Sequence, residues 1–111
     1  MIDSARQMIA DASTITSFTG AGLSAESGVS TFRDKNPEAL WSKYDPMDLA
    51  SPEGFRRDPD VVMEWYAWRR KQIAVAEPNP AHRVLAERAG ITNITQNTDN
   101  LLERAGAHNV I

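Results

Sequence analysis

Five residues rich in β-branched and aromatic side chains, Ile15-Thr16-Ser17-Phe18-Thr19, run without a spacer into Gly20-Ala21-Gly22. A short β-prone run that ends on glycine reads as a strand entering a tight turn. Ahead of it, Ile2, Ala5, Met8, Ile9 and Ala12 recur at helical spacing, with Asp3, Arg6 and Asp11 on other faces, which predicts an amphipathic first helix. A second strand-like run from Ile91 to Thr95 leads into Gln96-Asn97-Thr98-Asp99, and Val110-Ile111 begins a third. Helical segments fill the intervals. Strands that alternate with helices pair in parallel, so the expected fold class is α/β, a partial Rossmann-like parallel sheet with flanking helices.

Helix starts are marked by a repeated local signal. Ser51-Pro52, Asp58-Pro59 and Asn79-Pro80 each set a side-chain acceptor before a proline whose fixed φ suits a first helical turn. The second of these predicts a helix from about Pro59 to Ala76 that buries Val62, Trp65, Trp68 and Ile73. Ala81, Val84, Leu85 and Ala89 continue the third until Gly90, and a short helix over Leu101 to Ala105 stops at Gly106. From Ser30 to Pro46 the charges are mixed, two prolines interrupt and no period is sustained. That stretch reads as a long loop of the kind that closes over ligands, with at most a short helix around Glu38 to Tyr44.

Length and composition narrow the function classes. A chain of 111 residues, 41% hydrophobic and 24% charged, fits one small globular domain rather than a disordered tail. Twelve Lys and Arg against fifteen Asp and Glu leave a net charge of -3 with no basic stripe, so no nucleic-acid partner is expected. No apolar run approaches the ~18 residues that cross a bilayer, and no membrane partner is expected. The first twelve residues lack the apolar core of a signal peptide, which points to a cytoplasmic protein. The absence of cysteine rules out a thiolate zinc site within these residues, and no metal ligand is assigned.

Gly20-Ala-Gly22-Leu-Ser-Ala25 fits the dinucleotide fingerprint with alanine at the third small position. The first glycine permits the turn, the second lets backbone amides approach a pyrophosphate, and a helix start supplies N–H groups to an anion. Alone, the pattern is as readily a plain turn. A hydride-transfer domain would carry an acidic residue about 20 residues further on, at the end of a second strand. That region is the Ser30 to Pro46 loop here, so a dehydrogenase-type nucleotide domain is the weaker version.

The whole string from Gly20 through Glu26-Ser-Gly28-Val-Ser-Thr31-Phe32-Arg33, followed by Gln96-Asn97-Thr98-Asp99 after the next strand, resembles the sirtuin family. Leu40-Trp41, Asp48-Leu-Ala-Ser-Pro-Glu-Gly-Phe55, Glu77-Pro-Asn-Pro-Ala-His82 and Glu103-Arg-Ala-Gly106 match in family order, so the resemblance covers essentially the whole chain. It implies an NAD-dependent protein-lysine deacylase in which the acyl-lysine carbonyl oxygen attacks the ribose carbon as nicotinamide leaves. NAD is then a cosubstrate and the acylated lysine of a protein the partner. The resemblance assigns Gly20, Ala21 and Gly22 to the phosphates, Thr31, Phe32 and Arg33 to the cofactor loop, and Gln96, Asn97 and Asp99 to ribose and nicotinamide. Read alone, Asp99 caps the Leu101 helix, Phe32 is a core aromatic and Arg33 a solvated charge.

Residues 1 to 111 read as the incomplete NAD-binding part of such a domain. The family's general-base histidine follows a segment like His108-Asn-Val-Ile111, and its zinc-binding cysteines come later still. No residue here is therefore assigned catalysis. His82 reads as a packing or capping residue and His108 as a loop residue, and these residues alone are expected to be inactive.

Tyr66 and Arg69 lie three apart on the predicted Pro59 helix and can share a face. A hydroxyl with a guanidinium suits a carboxylate. The pair resembles the class III branch, whose members prefer succinyl, malonyl or glutaryl lysine to acetyl lysine, and Ala50 matches a small residue that enlarges the acyl pocket there. Without the resemblance, the pair is a half-buried tyrosine and a solvated arginine on an amphipathic helix. A non-catalytic module that binds NAD or another subunit is the remaining alternative.

Overall fold

A computed structural model describes residues 1–31, 41 and 43–111. In chain order the elements are α1 (Ile2–Asp11), β1 (Ile15–Thr19), α2 (Ala21–Ala25), α3 (Pro46–Leu49), α4 (Pro52–Arg57), α5 (Pro59–Val75), α6 (Pro80–Glu87), β2 (Ile91–Thr95) and α7 (Leu101–Arg104). They divide into two compact units, one of Met1–Gly20 with Pro78–Ile111 and the other of Ala21–Glu77.

The first unit holds the sheet. β1 and β2 pair in parallel from Ile15 opposite Ile91 to Thr19 opposite Thr95. On the other side of β2, Val110 forms a parallel bridge with Asn93, and the Asn93 amide donates to the Asn109 carbonyl at 2.8 Å. β2 is thus hydrogen-bonded along both edges, as a central parallel strand must be. Its middle residue is polar. Asn93 is buried, and its Oδ1 accepts from the hydroxyl of its cross-strand partner Ser17 at 2.7 Å, which satisfies part of the amide inside the sheet. Ile91, Leu101, Leu102 and Ala107 supply the buried apolar surface, and α6 packs on both β2 and α7.

The helix at the N-terminus forms as the spacing predicts, but none of its residues is buried. Its apolar stripe lines an open groove with Arg88, whose guanidinium donates to the Ile9 carbonyl at 3.2 Å. The outer face of β1 is likewise open, with Phe18 73% exposed.

The second unit is helical. Its core is Trp41, Leu49, Val62 and Trp65, with Tyr44, Ala50, Val61 and Trp68 packed around them. α5 buries Val62 and Trp65 fully, while Trp68 and Ile73 are only half-buried. Both expected caps are present: Ser51 Oγ accepts from the Gly54 amide at 3.0 Å, and Asp58 Oδ1 from Val61 at 3.2 Å. A further helix, α3, starts where the sequence reading placed the end of a loop. Asp45 Oδ1 accepts from the Met47 amide at 2.9 Å ahead of Pro46, the same cap-plus-proline device as at the other three starts. Residues 32–40 and 42 of that loop, including the Glu38 end of its suggested short helix, lie outside the described residues, while Trp41 and Tyr44 at the other end belong to a turn in which the Tyr44 amide donates to the Trp41 carbonyl at 3.1 Å.

Candidate functional site

Parallel strands place ligands beyond their carboxyl ends, and in the first unit that is where the assigned residues gather. β1 ends at Thr19, and β2 ends at Thr95 with Gln96, Asn97 and Asp99 following. The Gln96 amide donates to the Thr19 carbonyl at 3.1 Å, extending the strand pairing by one bond. Asn97 then turns back: its own amide donates to Thr95 Oγ1 at 3.1 Å, and its side-chain Nδ2 to the Gly20 carbonyl, 77 residues away in sequence, at 2.9 Å. The carboxamide of Asn97 therefore fixes the start of the glycine turn.

At position 20 a side chain and the Gln96 carboxamide compete for the same space, so a larger residue there requires that carboxamide to swing aside. A Cβ there would come within 2.5 Å of Gln96 Nε2. Gly22 differs, since a Cβ built on it meets nothing within 4 Å among the described residues. An open approach to backbone is what the second glycine of a phosphate-binding turn needs, so the residues present fit a dinucleotide diphosphate. Behind the turn, α2 closes with a Schellman arrangement: Gly28, at φ 86°, donates to the Ala25 carbonyl at 3.0 Å, and Val29 to Ser24 at 3.3 Å. Ser24 is a buried hydroxyl within α2 that the sequence reading passed over as part of the fingerprint. Thr31 follows this closure and is half-buried; Phe32 and Arg33 lie outside the described residues.

Asp99 Oδ1 accepts from the Leu101 amide at 3.1 Å, from one residue ahead of Asn100, the N-cap of α7, whose own side chain makes no capping bond. Asp99 also biases His82. This histidine is fully buried at the third position of α6, where its Nδ1 accepts from the Asn79 amide at 3.1 Å while Asn79 Oδ1 accepts from Ala81 and His82. A capping box with histidine in place of the usual Glu or Gln results. Burial lowers the imidazole pKa below its ordinary value, and the Asp99 carboxylate opposes that shift more weakly. His82 is thus a neutral capping residue, as its place in Pro-Asn-Pro-Ala-His suggested. His108 is exposed beyond Gly106.

A pH dependence follows. An imidazole kept neutral in the fold but free to protonate when unfolded makes the unfolded chain bind more protons below about pH 6.5, so stability is full above that value and declines as pH falls. Thermal melts at about pH 7.5 and pH 5.5 should show the wild type losing stability on acidification, and His82→Gln, less stable at the higher pH, should lose less. Parallel losses in both proteins would exclude His82 as the titrating group.

In the second unit, α5 brings Tyr66 and Arg69 to one face around Trp65. The Trp65 ring lies edge-on to Tyr66 at 4.9 Å and beneath the Arg69 guanidinium at 5.2 Å. Trp65 is also in the cluster against which Ala50 packs, so all three residues assigned to acyl recognition border one aromatic core. Tyr66 remains 41% exposed, while Arg69 is half-buried and donates from Nη1 to the Ser30 carbonyl at 3.1 Å. Burial lowers the Arg69 pKa from its usual value and Tyr66 opposes the shift, but a guanidinium stays charged at neutral pH. Among the described residues, no group of three or more His, Cys, Asp or Glu could hold a metal ion, and no helix is long and apolar enough to cross a membrane.

The Sir2 family model matches residues 20–111. This chain belongs to the Sir2 (sirtuin) family. The NAD-dependent protein deacylase of Aeropyrum pernix is 51% identical over 113 aligned residues, covering 98% of this chain and 45% of that protein. Among solved structures, a Sir2 homologue in complex with NAD superposes at a TM-score of 0.87 with 45% identity, covering 98% of this chain and 43% of that one. A Sir2 homologue variant in complex with 2'-O-acetyl ADP-ribose superposes at 0.88 with 43% identity, covering 100% and 45%. The Sir2 chain described here spans about half the length of the curated relatives it matches. Its partial Rossmann-like α/β architecture is that of its Sir2 neighbours.

Proposed function

We propose that this chain is the NAD-binding part of an NAD-dependent protein-lysine deacylase. The observation that carries the reading is the junction at the carboxyl ends of β1 and β2, where Asn97 holds the Gly20 carbonyl and Gln96 occupies the space a side chain at position 20 would need. NAD, when bound, supplies the ribosyl carbon that the acyl oxygen attacks as nicotinamide leaves. Gly20, Ala21 and Gly22 offer backbone amides to its diphosphate, and Thr31, Phe32 and Arg33 are assigned to the loop beside it. Gln96, Asn97 and Asp99 orient the carboxamide and ribose hydroxyls; a reacting centre that becomes cationic gains from fixed amide dipoles and a carboxylate nearby. The deacylase relative and the complexes of Sir2 homologues with NAD and 2'-O-acetyl ADP-ribose support this reading.

The acyl preference is assigned to Tyr66, Arg69 and Ala50. A phenol and a guanidinium around one tryptophan suit the carboxylate of a succinyl or malonyl group, and Ala50 leaves room beside them. The substrate is thus an acidic acyl-lysine of a protein.

The test is to incubate a full-length protein carrying this chain with NAD and a succinyl-lysine peptide, and to measure nicotinamide together with acylated ADP-ribose. Formation of both is expected, and nicotinamide without acyl transfer would reject the deacylase reading. Residues 1–111 alone should give no turnover, because His82 is sealed in a helix cap and His108 lies apart from the strand ends in sequence and exposed to water. Turnover by residues 1–111 would overturn that assignment of the histidines.

A further inference from the structure

We propose that Arg69 is a positioning residue for the NAD-binding segment as well as an acyl-recognition residue. Its Nη1 donates to the Ser30 carbonyl at 3.1 Å, across 39 residues of sequence. Ser30 lies two residues beyond Gly28, where α2 closes and the chain departs toward Thr31. The segment that carries Ala21, Gly22 and Thr31 is therefore tied to α5 by a charge-assisted bond from the same guanidinium to which acyl recognition is assigned. Trp65 holds that guanidinium from below at 5.2 Å, and half-burial shields the bond from water. Because the acceptor is a backbone carbonyl, the tie does not depend on which side chain stands at position 30. The inference rests on the NAD assignment of Ala21, Gly22 and Thr31, and it adds a coupling: a residue chosen by the acyl group also acts on cofactor affinity when no acyl group is present.

The experiment is a calorimetric titration of NAD into the full-length protein without any acyl peptide. Arg69→Met should weaken NAD binding by about 3- to 10-fold, less than a directly contacting donor would, because Arg69 acts through Ser30. Arg69→Lys should recover most of that loss, since one ammonium donor can meet one carbonyl, yet it should not recover desuccinylation, which needs the planar fork. Arg70→Met, on the exposed neighbour, is the control and should bind NAD as the wild type does. Amide exchange at Val29, Ser30 and Thr31 should rise in Arg69→Met alone, a readout that survives even if that variant melts early. Wild-type NAD affinity in Arg69→Met, or no recovery in Arg69→Lys, overturns the inference and leaves the NAD assignment standing. Failure of the wild type itself to bind NAD overturns both.

Discussion

Replacing Arg69 by methionine in the full-length protein is expected to lower the ratio of desuccinylation to deacetylation efficiency by about 10- to 100-fold, the loss of a charge-assisted hydrogen bond worth roughly 1.5 to 3 kcal/mol. Methionine keeps an unbranched apolar stem against Trp65, so the helix face retains much of its packing while the charge disappears. An acetyl group brings no carboxylate, and whatever cofactor affinity is lost through Ser30 is common to both substrates at a fixed NAD concentration. The ratio therefore isolates acyl recognition. Tyr66→Phe should shift the ratio the same way by less, since it removes one neutral donor and leaves the ring edge-on to Trp65. Kinetics with paired succinyl and acetyl peptides measure this directly. Equal losses on the two substrates would sink the acyl assignment while leaving the Sir2 reading intact.

The second large effect is on stability. Gly54→Ala should destabilise the protein by about 2 to 4 kcal/mol, although the same exchange inside an ordinary helix stabilises it by up to about 1 kcal/mol. Gly54 is buried in α4, and a Cβ there would overlap the Asp48 carbonyl oxygen, a backbone atom that cannot rotate away. That oxygen also accepts from Ser51 Oγ at 2.8 Å, and the same hydroxyl caps α4 by accepting from the Gly54 amide at 3.0 Å. Moving either partner breaks a cap worth about 1 kcal/mol in addition to the steric cost. Gly22→Ala is the contrast: its Cβ meets nothing within 4 Å among the described residues, so no loss of the Gly54→Ala size is expected. A denaturant series on both variants decides the matter, and a wild-type midpoint for Gly54→Ala would contradict the close approach.

Much of the fold was legible because its signals act within a few residues. A side-chain acceptor before a proline fixes a helix start through bonds two or three residues ahead, and α4, α5 and α6 begin where those pairs stand. Asp45-Pro46 carries the same signal and was hidden only by the irregular stretch before it. The β-branched runs became β1 and β2, and the parallel pairing followed from the helices between them. His82 was legible as a capping residue for the same local reason, three positions beyond Asn79.

What the tertiary structure decided lies at long separations, where no local rule reaches. That Asn97 holds the Gly20 carbonyl, that Arg69 reaches Ser30, and that Ser17 meets Asn93 inside the sheet all depend on which strand ends and helix faces folding brings together. The same holds for space: Gly20 and Gly22 look alike in sequence, yet a Cβ at the first would meet Gln96 and one at the second meets nothing among the described residues, because the neighbour of each is set by the packed chain and not by the turn. Burial also separated residues of like kind, sealing His82 while leaving His108 exposed, and leaving the stripe on α1 uncovered despite its clear helical period. Periodicity fixes which residues share a face; whether anything covers that face is a property of the tertiary contacts alone.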